Sequence, residues 1–265
     1  MKKLLLIDGD EMLFKATAAV EHETKFNTCL GEVTNEPPIH ILFSHPGKAR
    51  EVFDEMIERF FERFETRAHL LCFSTPPDWD FGKSASNFRY DVDPTYKNNR
   101  SNSRKPLCYV QLRQDIEADY KCKHLLGLEA DDVMGILATA PMAKTQRIII
   151  SQDKDLQTIP TQVWRKGDLV TVTEEEADYY HMFQTLTGDI TDGYKGCPGI
   201  GKVKAEKMLN AAMEKDGLMW PVVKAAYEKA ELTEEDALRQ ARLARILRWS
   251  DWNNEKKEPI LWQPK

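Results

Sequence analysis

Three short apolar runs punctuate the first 151 positions: KLLLID (3–8), HLLCFS (69–74) and RIIIS (147–151). Each reads as a buried strand, the first ending on an aspartate. Between them, AREVFDEMIERFFERF (49–64) places Val52, Phe53, Met56, Ile57, Phe60, Phe61 and Phe64 at helical spacing, which predicts an amphipathic helix. VQLRQDIEADY (110–120) predicts another helix and KCKHLL (121–126) a further strand. Strands alternating with helices give an α/β fold with a mainly parallel sheet flanked by helices.

After LVTVT (169–173) the pattern turns helical. Thr173 with Glu176 has capping-box spacing and starts a helix running to about residue 187, and TEED (233–236) repeats the signal ahead of ALRQARLARILRW. A soft boundary near residue 175 divides the chain into an α/β region, 1–175, and a helical region, 176–265. Segment 76–106 is polar and aperiodic, and loops of that length inside a compact domain are usually functional or disordered. Near the C-terminus, Trp252 and Trp262 are expected to dock on the body of the protein.

At 265 residues, 42% hydrophobic and 30% charged, the chain has the composition of an ordinary globular protein with a sizeable core. MKKLLLIDGDEM carries only a four-residue apolar run, too short for a signal peptide or a membrane span, so no membrane partner is expected. Five scattered cysteines without a CxxC pair read as reduced cytosolic thiols rather than a disulfide framework or zinc site. The net charge of −6 argues against a nucleic-acid binder, but the average conceals segregation. Residues 94–106, PTYKNNRSNSRKP, carry Lys97, Arg100, Arg104 and Lys105 with no acid among them; GKVKAEKM (201–208) carries Lys202, Lys204 and Lys207 against Glu206 alone. Separate basic and acidic patches suit a protein that binds both a polyanion and cations.

The acids gather where an open parallel sheet collects ligands, beyond the carboxyl ends of its strands. Asp8 ends the first strand, Asp153 and Asp155 follow RIIIS, and Glu129, Asp131 and Asp132 open a helix in GLEADDVMG. GDITDG adds Asp189 and Asp192, which share one face if that segment is helical. Asp10 and Glu11 are expected to be solvated. Any one of these acids is equally a turn or cap residue, and Asp153 with Asp155 suits an Asx-turn loop. Together, eight carboxylates at one edge demand cations, because like charges held close cannot all stay ionised. An oxygen-only donor set suits Mg²⁺ or Mn²⁺, and two such ions about 3.5–4 Å apart clamp the attacking and leaving oxygens of a phosphodiester.

GCPGIGKVKAEKML (196–209) has the pattern of a helix–hairpin–helix element, placed near 188–210. Gly199 and Gly201 let backbone approach a phosphate, and Lys202 and Lys204 add contacts that position a duplex without reading it. The alternative is a glycine-rich link between helices. In YKNNR (96–100), Lys97 and Arg100 suit charge developing on a scissile phosphate and Tyr96 suits stacking on an unpaired base, or else the stretch is a solvated loop.

LLLIDGD, YKNNR, GLEADD, ISQDKD and GDITD ahead of PGIG occur in the order that resembles the 5′-nuclease (flap endonuclease) superfamily, the 5′→3′ exonucleases of T7-like bacteriophages among them. DPTYKNNR, LEADDVMG, FQTLTGDITDGYKG, ARILRW and ILWQPK extend the likeness from residue 3 to near the C-terminus. The resemblance implies a PIN-like α/β nuclease core at 1–175, with an arch or loop at 76–106, and a helix–hairpin–helix region at 176–265 that grips duplex DNA. It assigns metal binding to Asp8, Glu129, Asp131, Asp132, Asp153, Asp155, Asp189 and Asp192. The earlier ones hold the ion nearest the scissile phosphate and the later ones favour a second. Asp8, Asp132 and Asp153, with Lys97 and Arg100 on the phosphate, become the catalytic set. Pro198 to Gly201 match a hairpin that in relatives can hold K⁺ through backbone carbonyls.

The implied activity is a Mg²⁺-dependent 5′→3′ exonuclease that also cuts flaps or nicks and removes RNA primers. Its expected partners are duplex DNA with 5′ ends and RNA–DNA hybrids. The implied setting is a monomer working in phage replication, recombination and host DNA degradation in the bacterial cytoplasm. One departure is Ser74, where relatives place an aspartate; Asp78 or Asp80 is a substitute through a shifted loop. Two rival readings remain. IDGDEM resembles the D-x-D nucleophile motif of haloacid-dehalogenase-type phosphatases, a reading that leaves LEADD and PGIG unexplained; the other is a non-catalytic DNA-binding module.

Overall fold

The structure, a computed structural model, describes residues 2–26, 39–75, 87–100, 104–141 and 144–264. Asp78, Asp80, Cys29 and the side chain of Arg100 lie outside the described residues.

β1 (Lys2–Asp8) leads directly into α1 (Gly9–Ala19). A hairpin of β2 (His22–Phe26) and β3 (Ile39–Phe43) precedes the long α2 (Pro46–Phe64) and β4 (His69–Cys72). Short α3 (Arg89–Val92), then α4 (Tyr109–Asp119), β5 (Cys122–Lys123), α5 (Ala130–Thr139) and β6 (Thr145–Ile150) follow. β7 (Gln162–Arg165) and β8 (Asp168–Thr171) complete the sheet, and α6 (Glu174–Thr187), α7 (Lys202–Lys215), α8 (Met219–Lys229) and α9 (Glu234–Ala244) form the helical region. A small pair, β9 (Trp252–Asn253) and β10 (Glu258–Pro259), lies near the C-terminus.

The sheet order is β5-β4-β1-β6-β7-β8, parallel except for the β7–β8 hairpin. The central apolar strand alternates its faces. Leu5 and Ile7 pack with Met12, Phe53, Ile57, Phe61 and Ile116 from α1, α2 and α4. Leu6 packs on the other side with Val133 and Met134 of α5. The register sets Asp8 beside Cys72 and Ile7 beside Ile150, so β1, β4 and β6 end together at one edge. That is the edge where ligands gather in such sheets.

The helical region has its own core of Leu186, Leu209, Val223, Tyr227 and Ala237, against which Trp262 packs. Residues beyond position 175 also complete the core under α5: Ala177, Ile246, Leu247 and Trp252 all lie there. Both tryptophans therefore dock on the body. Of KCKHLL, only Cys122 and Lys123 pair as strand, while α1 and the β2–β3 hairpin are elements the apolar pattern did not announce. Four cysteines among the described residues are free. No helix among them is long and apolar enough to cross a membrane.

GDITDG is not helical. It is a turn closed by a bridge between Asp189 and Tyr194, at whose foot two glycine backbones cross. A Cβ on Gly188 (φ +67°) would lie 2.4 Å from the Lys195 carbonyl carbon, and one on Gly196 (φ +68°) 2.3 Å from the Gly188 nitrogen. Neither neighbour is a side chain that can swing away. Gly196→Ala is expected to destabilise the protein by about 2 kcal/mol or more, read as a lower denaturant midpoint at unchanged slope.

Candidate active site

Asp8, at the end of β1, caps α1 by accepting the Glu11 N–H at 2.9 Å. It is 7% exposed, and burial followed by repulsion from Asp10 pushes its pKa up to about 7. Asp131, in the first turn of α5, is raised well above the usual carboxylate range by burial, then by Asp153 and Asp8. Asp155, after β6, is pushed up to about 7 by burial and Asp153, with Lys154 working the other way. Three carboxyls whose charge is resisted by burial and by neighbouring acids mark an excess of negative charge at this edge. Asp153 sits at the exposed rim, where its Oδ1 accepts the Asp155 N–H at 2.8 Å, the Asx turn weighed above.

The YKNNR segment lies on the GDITDG turn. The Lys97 N–H donates to the Asp192 carbonyl (3.0 Å), and Asn99 Nδ2 donates to the carbonyls of Ile190 (2.8 Å) and Thr191 (3.2 Å). Lys97 is held at φ +54°, an uncommon conformation for a side-chain-bearing residue. Its Nζ donates to Glu129 Oε1 at 2.7 Å and lies 3.7 Å from Asp192 Oδ1. Burial opposes the ammonium, but Glu129 and Asp192 outweigh it and raise the Lys97 pKa. The sequence thus brings Asp8, Glu129, Asp131, Asp153, Asp155, Asp189, Asp192 and Lys97 to one edge, with Lys97 and Lys154 set among the acids.

Asp132 is a correction: it faces inward. Fully buried, it accepts from Arg89 Nη1 (2.7 Å) and Nη2 (2.8 Å), from the Leu247 N–H (3.0 Å) and from the Glu129 N–H (3.3 Å). Two bonds on each oxygen occupy its lone pairs, so it anchors α5 rather than facing an ion. Arg89, 2% exposed, also donates to the carbonyls of Leu243 (3.1 Å) and Arg245 (2.7 Å). Arg89→Ala strands a buried carboxylate and is expected to cost about 3–5 kcal/mol in a urea melt.

Tyr96 is a second correction. It is 2% exposed and its hydroxyl lies 3.3 Å from both Glu129 Oε2 and Asp192 Oδ2, so its ring is packed and not free to stack on a base. Asp10 and Glu11 are not solvated either. Asp10 accepts from the Ser74 N–H (2.8 Å) and the Tyr109 hydroxyl (3.0 Å); Glu11 accepts from the Gln152 N–H (2.7 Å) and lies 2.8 Å from Ser151 Oγ. These acids stitch α1 to the ends of β4 and β6. Ser74 Oγ accepts the Ala130 N–H at 2.9 Å and so caps α5, while Asp10 supplies the carboxylate next to it. The doubled aspartate of IDGD was the available signal.

Around this centre, Arg104 pairs with Glu21 at 2.6 Å and Lys105 Nζ stands 4.1 Å from the Tyr109 ring centroid. In the PGIG turn, Gly199 has φ +71°, and Cβ atoms on Gly199 or Gly201 would meet nothing within 4 Å. Gly201 precedes α7, with Lys202 and Lys204 exposed in its first turn. α6 ends at Thr187 and α7 begins at Lys202, with the GDITDG and PGIG turns between them.

The donor set suits hard divalent ions in its chemistry: carboxylates only, several held above their ordinary pKa by burial and then by neighbouring acids. As the side chains stand, however, no three histidine, cysteine, aspartate or glutamate side chains among the described residues group so as to hold one ion.

Residues 3–184 match the 5′-3′ exonuclease, N-terminal resolvase-like domain. The chain is 33% identical to the exonuclease of Escherichia phage T7, over 99% of this chain and 94% of that protein. It is 32% identical to the exodeoxyribonuclease of Enterobacteria phage T3, over 100% and 94%. Among solved structures, the bacteriophage T5 5′-exonuclease with bound divalent metal ions (zinc) superposes with TM-score 0.62 at 15% identity, covering 92% of this chain and 89% of that one. On a fold with this sheet order, and a sequence matched along nearly its whole length, the conclusion is direct: the chain belongs to the 5′-3′ exonuclease family, a family of nucleases.

Proposed function

We propose that the protein is a Mg²⁺-dependent 5′→3′ exodeoxyribonuclease that also cuts at flaps or nicks and removes RNA primers during phage DNA replication. The single observation that carries this reading is the crowding of acids at the carboxyl edge of the sheet, with Asp8 and Asp155 pushed up to about 7. Asp8, Glu129, Asp131 and Asp153 would hold the ion nearest the scissile phosphate, and Asp155, Asp189 and Asp192 a second. When bound, such ions activate water and stabilise charge on the attacking and leaving oxygens.

The chain's own groups do the rest. Lys97, anchored to Asp192 through its N–H, presents an ammonium at this edge, and Arg100 follows it in a short turn of helix (Asn98–Arg100). Both suit the charge that builds on a phosphate during cleavage. Exposed Gly199, Gly201, Lys202 and Lys204 suit a duplex backbone held by amides and ammonium groups. Lys204 Nζ donates to the Gly199 carbonyl at 3.2 Å, so K⁺ at this hairpin would have to share or displace that ammonium. Support for DNA as substrate also comes from the bacteriophage T5 flap endonuclease, which has been crystallised in a complex with DNA and metal ions.

The test is digestion of linear duplex DNA labelled at the 5′ or the 3′ end, with Mg²⁺ and with excess chelator. Early release of short 5′-labelled products, dependent on metal, is the expected result. Folded protein that binds the duplex and releases nothing in Mg²⁺ or Mn²⁺ would overturn the reading in favour of a non-catalytic module.

A further inference from the structure

Lys154 lies between Asp153 and Asp155, and the chemistry proposed above gives it no task. Its ammonium reaches across to the GDITDG turn, where Nζ lies 2.5 Å from Asp189 Oδ2 and 3.8 Å from Asp155 Oδ1. These are two of the three acids assigned to the second ion. The Asp189 side chain is only 4% exposed, and its other oxygen is already taken by the Thr191 N–H at 2.7 Å. Asp155 Oδ1 likewise accepts from Gln184 Nε2 at 2.7 Å. The oxygen of Asp189 left for a cation is therefore the one that Lys154 holds.

We propose that Lys154 is the resident counter-cation of the second carboxylate group: it keeps Asp189 and Asp155 gathered, and a second divalent ion binds only by displacing it. The inference rests on the metal reading above. A dication and an ammonium cannot share one carboxylate oxygen at contact distance, since their repulsion is steep there. Displacement is feasible because the Lys154 side chain is 51% exposed and can swing into water without opening the core. Binding of the second ion is accordingly weakened by the work of evicting this side chain.

The test is Mn²⁺ titration of the full-length, metal-free chain without DNA, by calorimetry and by paramagnetic resonance of free Mn²⁺. Wild type, Lys154→Met and Lys154→Arg are compared. The expected result is a tight class unchanged in all three and a weak class that tightens about tenfold or more in Lys154→Met alone. A weak class detectable only in Lys154→Met supports the proposal equally. Lys154→Met binding with unchanged number and affinity of ions overturns it and leaves the metal reading standing. Absence of Mn²⁺ binding in all three proteins overturns both.

Discussion

Asp153→Ala is expected to leave a folded protein that binds duplex DNA and cleaves it about a thousandfold more slowly, or not at all. Its place at the exposed rim makes this separation possible. Asp153 accepts a local N–H from Asp155 and supports no buried partner, so its loss leaves no polar group stranded. Yet it is the largest neighbouring charge acting on both Asp131 and Asp155. Single-turnover cleavage of a 5′-labelled duplex, with binding by fluorescence anisotropy and folding by circular dichroism, checks all three parts. Full cleavage by the variant would remove Asp153 from the metal set. Asp132→Asn supplies the contrast, because its acid faces Arg89 and its loss should register first as lost stability.

The second large effect concerns pH. Asp8 and Asp155 are held at about 7 and Asp131 well above its ordinary value, so between their unfolded and folded pKa values the native protein binds more protons than the unfolded chain. Stability of the metal-free protein therefore falls as pH rises through that window, and the loss is complete above it. Buried His181 has the opposite sign: held well below its usual pKa, it costs stability only under acid conditions, where the unfolded chain protonates. Between pH 6.5 and pH 8 in chelator the carboxyls dominate, since His181 opposes them by only about 0.4 kcal/mol there. The expected drop is on the order of 2 kcal/mol, or about 5 °C in Tm, and excess Mg²⁺ should abolish it. A flat or rising Tm over that interval would mean the acids are not crowded as placed here.

Much of this was legible in the chain, and the parts that were not share a cause. KLLLID and RIIIS are strands because a parallel sheet buries both faces, which writes itself as an unbroken apolar run. The acids at strand ends could be placed because topology alone brings those ends together. Arg89 could not be read at all: its partners lie 43, 154 and 156 positions away, and nothing local marks an arginine as buried. Tyr96 was misread because an aromatic among basic residues suits a base-stacking loop, whereas it is Lys97 that faces the acids and the ring that fills the space behind. Asp10 and Glu11 follow a strand like many solvated residues, and only the return of β4 and β6 to the same edge gives them donors. The hairpin of β2 and β3 leaves Ile39, Ile41 and Phe43 about half exposed, so its pattern carries no buried face to detect.

The lock on Asp132 has a consequence in time. Its Leu247 partner is 115 positions further along the chain, and the two carbonyls that fix Arg89 lie almost as far on. At synthesis rates of about 5–20 residues per second, the ribosome releases the GLEADD helix roughly 6–23 seconds before the residues that fasten it. Until then Asp132 lacks part of its shell, and the helix carrying Glu129 and Asp131 has no fixed seat. A nascent chain can thus build its sheet while the helix carrying Glu129 and Asp131 stays slack, and the acidic edge is fastened only as the polypeptide nears completion. The order of translation is thus also the order in which the acidic edge becomes rigid.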